Sequence, residues 1–297
     1  MLPLPVPATD DLKLADWLET LALISDDGNS SIGDLERALH RSSVLEMEND
    51  QDSVERKCLE VRRELEDRAT AAEHSYPFNV DGALLSLKSR IEDFPAYIFC
   101  LCLSSIGLNR VNLRKVFPAR MFERLACVAA RNYLGGDGIR FASPREELPK
   151  NFRKAVDSLC IHIGEGKGYR NQPTLARKDD TLDIVAWKHF SDTLPGKLIL
   201  FGQCASGANW DTKVTELQPE TFCGQWMIEP PPLSYVTKAF FIPHRIERNR
   251  WELTNRRAGI IFDRCRLSYW VHQEKKLKNR RELMSWCKTA LGSVKSN

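Results

Sequence analysis

A chain of 297 residues with 42% hydrophobic and 28% charged residues and a mean hydropathy of −0.37 has enough apolar material for one large core or two modest ones, which excludes a disordered or fibrous protein. Nine cysteines, an odd number without framework spacing and mostly set in apolar stretches such as AYIFCLCLSS, read as reduced core thiols of a cytoplasmic protein. The most apolar stretch, residues 96–103, falls far short of the ~20 residues of a spanning helix, so no membrane association is expected; the opening MLPLPVPATDD has too many prolines for an export signal.

The first third reads as helical. DDLKLADWLETLALI, SIGDLERALHR, DSVERKCLEVRRELEDRATAAEHS and DGALLSLKSRIEDFPAYIFCLCLSSIG all space their apolar residues at helical intervals, with Asp, Ser or Gly at the ends. In the third, Val54, Cys58, Val61 and Leu65 form a narrow seam that suits packing against a neighbouring helix. A boundary is expected over residues 107–118, dividing a helical N-terminal domain, 1–112, from a second domain, 113–297.

The second domain opens with RMFERLACVAARNYLGG. Phe122, Leu125, Ala126, Ala129 and Tyr133 recur at helical spacing, and Glu123 sits near the start. A second amphipathic segment, marked by Phe152, Ala155, Val156, Leu159, Cys160 and Ile163, runs into IHIGEGKGYRN, which carries Glu165. Two strands are expected next, TLDIVAW at 181–187 and KLILFGQ at 197–203. In each, one polar group shares a face with apolar residues: Asp183 with Val185 and Trp187, and Gln203 with Ile199 and Phe201. A carboxylate in such a strand asks for a cation, a hydrogen-bond network or a catalytic role. A helix is expected from about Asn209 and Trp210, carrying Lys213. Strand-like KAFFIP and AGIIFD follow, then a final helix with Leu283, Trp286, Cys287 and Leu291.

Three motif-like strings do not carry chemistry. GQCASGANW lacks the Cys-Trp pair of thiol proteases. GEGKGY lacks the spacing of a phosphate-cradling loop. The histidines and cysteines show no paired zinc-ligand spacing.

Charge is lopsided along the chain. Residues 1–75 hold 8 Lys/Arg against 18 Asp/Glu, whereas residues 240–297 hold 14 against 5. The two ends are therefore expected to meet different partners. At the basic end, Arg245, Arg248, Arg250, Arg256, Arg257, Arg264 and Arg266 suit a phosphate backbone.

Asp183 on one strand and Gln203 on the next resemble the PD-(D/E)XK nuclease superfamily, over roughly residues 115–297. In that family an Asp and a Glu-X-Lys on adjacent strands hold Mg²⁺ and a water, usually with a Glu from a preceding helix. Asp183 matches the Asp, and Gln203 stands in the place of the Glu. Ala205 stands in the place of the Lys, so the lysine role is assigned to Lys213, displaced to the following helix. Glu123 or Glu165 supplies the additional carboxylate. The resemblance implies an α/β fold of the α+β type, with the helical N-terminal domain followed by a restriction-endonuclease-like mixed-sheet core flanked by helices. It also implies a Mg²⁺- or Mn²⁺-dependent DNA endonuclease, with Asp183, Gln203 and Glu165 as metal ligands. A homodimer, a protein partner or regulator docked by the acidic helical domain, and a role as effector of a bacterial anti-phage or restriction system follow by the same analogy. The alternative is a catalytically degenerate nucleic-acid-binding subunit.

Overall fold

A computed structural model describes residues 2–7, 9–42, 51–107, 117–170, 179–228, 232 and 235–295. The fold is mixed α/β, with a helical N-terminus, ten α-helices, a three-stranded antiparallel sheet and a five-stranded mixed sheet among the described residues. The chain divides into two compact units. Unit 1 comprises residues 1–118, 243–247 and 264–297, and unit 2 comprises 119–242 and 248–263. This division differs from the expected second domain at 113–297, because the last helices pack with the N-terminal ones. The boundary region itself lies mostly at 108–116, outside the described residues.

Unit 1 is built from α1 (Asp11–Ile24), α2 (Ile32–Arg41), α3 (Gln51–Ala72), α4 (Pro95–Ser105), α9 (Arg264–His272) and α10 (Arg280–Lys295). Asp10 caps α1 by accepting the Lys13 N–H at 3.1 Å. Ser31 and Asp34 form a reciprocal capping box on α2. Leu14, Trp17, Leu18 and Ala22 of α1 meet the seam of α3, Val54, Cys58, Val61 and Leu65, in one apolar core. The expected helix over 81–107 forms only from Pro95. Before it lies a hairpin, β2 (Phe78–Asp81) and β3 (Leu84–Leu87), joined through Gly82 at φ 58° and extended by β1 (Asn29–Ser31) in the order β1-β3-β2. The two-residue Gly82-Ala83 turn, with glycine first at positive φ, favours a tight reversal and outweighs the helical periodicity of the leucines.

Unit 2 carries α5 (Pro118–Leu134), β4 (Asp137–Arg140), α6 (Phe152–Ile163), β5 (Ile184–Lys188), β6 (Leu198–Cys204), α7 (Pro219–Trp226), β7 (Val236–Phe241), α8 (Arg248–Ala258) and β8 (Ile260–Phe262). Its sheet runs β4-β5-β6-β7-β8, antiparallel from β4 to β6 and parallel from β6 to β8. Val185 pairs with Phe201 and Trp187 with Ile199, and this face packs on α6 and α7 through Leu159, Phe222 and Trp226. Gly138 alternates with Ile139 and approaches α5 closely, since a Cβ there would stand 3.4 Å from Cys127 Sγ. Helices thus cover both faces, which is why β5 and β6 read as nearly continuous apolar runs.

Candidate functional site

Asp183 precedes the first residue of β5. Two consecutive residues just before it, Asp180 and Thr181, hold left-handed backbone at φ 51° and 66°. Such strain in non-glycine residues persists only where surrounding structure enforces it. Here the Trp226 indole donates to Asp180 at 2.6 Å, and the Leu182 N–H donates to the Asp179 carbonyl at 3.2 Å. The Asp183 carbonyl in turn accepts from the Phe141 and Ala142 N–H groups. Its carboxylate accepts the Cys204 N–H at 2.7 Å, at the end of β6.

Burial pushes the Asp183 carboxyl well above the usual range, and the neighbouring charge of Glu123 pushes it in the same direction; Asp179 adds to this, and the Cys204 N–H and Arg140 oppose it. Glu123 lies on the first turns of α5, and its own carboxyl is also raised by burial, against the pull of Arg140. Arg140, nearly buried at the end of β4, donates from Nε to Glu123 at 2.6 Å and from Nη1 to the Pro144 carbonyl at 2.8 Å. Asp179 accepts the Ser143 N–H at 3.2 Å. Three carboxylates, Asp183, Glu123 and Asp179, therefore act on one another near this end of the sheet, with Arg140 bonded to Glu123 and Arg145 acting on Asp179. Burial, with the charges of Asp183 and Glu123 added, also keeps the Cys204 thiol well above its usual range and so protonated.

The remaining expected site residues are placed elsewhere or differently. Gln203 is buried, donates to Glu216 at 2.7 Å and accepts the Leu217 N–H at 3.3 Å, so both amide atoms serve the segment that leads into α7. Lys213 closes a four-residue 3-10 turn, Trp210–Lys213, in place of the expected helix, and its carbonyl accepts the Glu216 N–H. Glu165 is a correction. It follows Gly164, which ends α6 in left-handed conformation at φ 65°, and its carboxylate accepts the Gly196 and Lys197 N–H groups at 2.8 and 2.9 Å. Those residues precede β6, whereas Cys204 ends it, so Glu165 and Asp183 lie at opposite ends of a strand roughly 20 Å long. Glu165 orders a turn and does not join the carboxylate cluster.

The arginine set also needs correction. Arg264 is fully buried in unit 1, where it grips both oxygens of Asp16 at 2.7 and 2.8 Å and donates to Ser104 at 2.6 Å. Arg245 donates to Glu64 at 3.2 Å and is mostly covered. Neither is presented to a phosphate backbone. Arg266, also of unit 1, is exposed. In unit 2, Arg248, Arg250, Arg256 and Arg257 are all exposed on α8, which buries only Thr254 and Ala258. Arg250 stands 4.0 Å from Asp211, a distance too long for a strong pair at a surface.

Asp179, Arg140 and Ser143 were not foreseen. Asp179 belongs to the run RKDDTLD, whose three acidic residues within five positions were a readable signal. Arg140 gave none, because nothing local marks which strand residue will face a helix carboxylate. No family model, curated protein or solved structure matches this chain.

Proposed function

We propose that unit 2 is a divalent-cation-dependent nuclease that hydrolyses phosphodiester bonds in DNA. The observation that carries this reading is the half-buried pair Asp183 and Glu123, whose carboxyls both lie above their usual range. Like charges kept in a desolvated site cost stability, and such costs concentrate where function uses them. A Glu on the preceding helix, an Asp heading one strand and a Gln near the end of the next follow the restriction-endonuclease-like resemblance.

The donors of Asp183, Glu123 and Asp179 are hard oxygens, the type that suits Mg²⁺ or Mn²⁺. Among the described residues, no three such groups already stand as a metal-holding cluster. Asp183 and Glu123 are the residues that would hold the cation, which supplies charge neutralisation at the phosphate and a lowered pKa for a bound water. In this reading Lys213 orients the attacking water, Gln203 holds the segment that follows the Lys213 turn, and the α8 arginines hold the phosphate backbone. A protein partner for the acidic N-terminal helices, a homodimer, a cytoplasmic setting and an effector role in bacterial anti-phage or restriction defence belong to the same proposal, on family analogy.

Three contacts favour a second reading, a catalytically degenerate DNA-binding subunit. Both amide atoms of Gln203 are engaged, and Arg140 already neutralises Glu123.

The test incubates wild-type protein, Asp183→Ala and Lys213→Ala with plasmid and linear DNA in Mg²⁺ or Mn²⁺. Cleavage lost in Asp183→Ala and lowered on the order of 100-fold in Lys213→Ala supports the nuclease. Equal behaviour of all three removes it, and salt-dependent DNA retention without cleavage leaves the second reading.

A further inference from the structure

Residues 150–170 of unit 2 cover the approach to α6, the helix itself and the turn after it. They hold five cations against two carboxylates, a net +3 that equals the formal charge of the whole chain. All five cations, Lys150, Arg153, Lys154, Lys167 and Arg170, are exposed. The carboxylates serve backbone instead: Asp157 accepts the Tyr169 N–H at 2.7 Å, and buried Glu165 accepts the Gly196 and Lys197 N–H groups. This stretch therefore turns a positive surface to solvent.

Two of the cations are held in place. The Arg153 guanidinium lies over the Tyr169 ring, 5.2 Å from its centroid, and that ring stacks at 15° on buried Trp226. Arg170 donates from its backbone N–H to the Trp226 carbonyl at 2.8 Å and from Nη1 to the Gly224 carbonyl at 3.0 Å. A guanidinium fixed beforehand loses less side-chain freedom on meeting a phosphate, and its planar fork suits two phosphate oxygens. The same aromatics tie this face to the carboxylate cluster. Trp226 donates to Asp180, three residues before Asp183. The Phe152 ring, next in the chain to Arg153, meets Phe141 edge-on at 5.9 Å, and the Phe141 N–H donates to the Asp183 carbonyl at 2.7 Å.

We propose that the 150–170 face binds the phosphate backbone of DNA and leads it to the Asp183–Glu123 pair, adding a second basic surface to that of α8. The choice of DNA among polyanions rests on the nuclease reading of that pair. The charge and the order of the face do not.

Filter retention of DNA by the full chain over a salt series tests it, with chelator present so that binding is read apart from cleavage. Lys150→Ala with Lys154→Ala and Lys167→Ala should lower the log–log salt slope by about 2.7, and Arg153→Ala with Arg170→Ala by about 1.8, at ~0.9 for each phosphate contact. Lys188→Ala is the control and should leave the slope unchanged. Lys188 follows Trp187 on β5 and so faces away from α6, toward the end of α5, where a Cβ on Gly135 would stand 3.3 Å from its Nζ. Circular dichroism checks that every variant is folded. A wild-type slope in both folded multiple variants, a fall as large in Lys188→Ala, no retention of DNA by the wild type, or binding to phosphatidylserine vesicles in place of DNA would overturn the proposal. Retention that depends on these cations, without cleavage when Mg²⁺ is restored, would support the surface and remove the nuclease reading alone.

Discussion

Asp183 resists ionisation because burial withdraws water from it and Glu123 sets a like charge nearby. A carboxyl whose folded pKa lies above the unfolded value of ~3.9 costs stability once the pH passes that value, and the cost grows until the folded pKa is reached. Asp183→Asn removes the charge and keeps an oxygen for the Cys204 N–H. Its melting temperature should therefore rise rather than fall, by roughly 2–4 °C for each kcal/mol relieved, while cleavage is lost. Scanning calorimetry at neutral pH checks this, and a lower melting temperature would contradict it. The same raised carboxyls compete for protons with any bound cation. Mg²⁺ or Mn²⁺ affinity should fall as the pH is lowered, and binding should release protons, visible as a heat that depends on buffer ionisation enthalpy in titration calorimetry. Asp183 itself was legible in the sequence, since a lone carboxylate in TLDIVAW has few structural excuses. Glu165 misled because a carboxylate after a helix-ending glycine looks the same whether it serves a ligand or, as here, two backbone N–H groups.

Among the elements, α8 separates the two kinds of arginine that the sequence grouped together. Its exposed Arg256 and Arg257 lie on a helix that buries little, whereas Arg264 lies on α9, fully enclosed. If α8 meets a phosphate backbone, the double variant Arg256→Ala with Arg257→Ala should reduce the salt dependence of DNA binding by about 1.8 in the log–log slope, with little change in melting temperature. An unchanged slope in a filter-binding series would remove α8 from the interface. The β5 and β6 strands were readable because helices cover both of their faces and leave an apolar run. The hairpin at Phe78–Leu87 was hidden because its leucines also satisfy a helical period, and the Gly82 turn with the pairing of β3 to β2 and β1 favours the extended form.

The opposite charges of the two chain ends were expected to serve different partners, and within unit 1 they meet each other. Arg68 and Arg264 enclose Asp16 and Glu19, Arg245 joins Arg68 on Glu64, and the Tyr76 and Tyr97 hydroxyls donate to Glu19 at 2.9 and 2.8 Å. Burial alone pushes the Asp16 and Glu64 carboxyls up, but the guanidiniums outweigh it and hold both below the usual range. Carboxylates with lowered folded pKa values contribute stability that is fully present above the unfolded values of ~3.9 and ~4.3, and it is lost as the pH falls through the folded ones. The midpoint of urea unfolding should accordingly hold from neutral pH to about pH 5 and drop steeply below pH 4. Asp16→Ala, which takes one of two carboxylates from between two buried guanidiniums, should cost about 3–5 kcal/mol in the same assay. A loss under 1 kcal/mol would show that the network is not what joins residues 264–297 to the N-terminal helices.

The sequence by itself determined the mixed α/β character, the helical N-terminus, the two central strands and the carboxylate that opens one of them. These follow from the periodicity and polarity of short runs, which are local properties. Only the tertiary structure decided that Glu123 rather than Glu165 stands with Asp183, that Arg140 and Asp179 join them, and that Arg264 is an internal counter-ion. Each of these depends on which groups share a desolvated space across long stretches of chain, and no pattern of neighbouring residues encodes that.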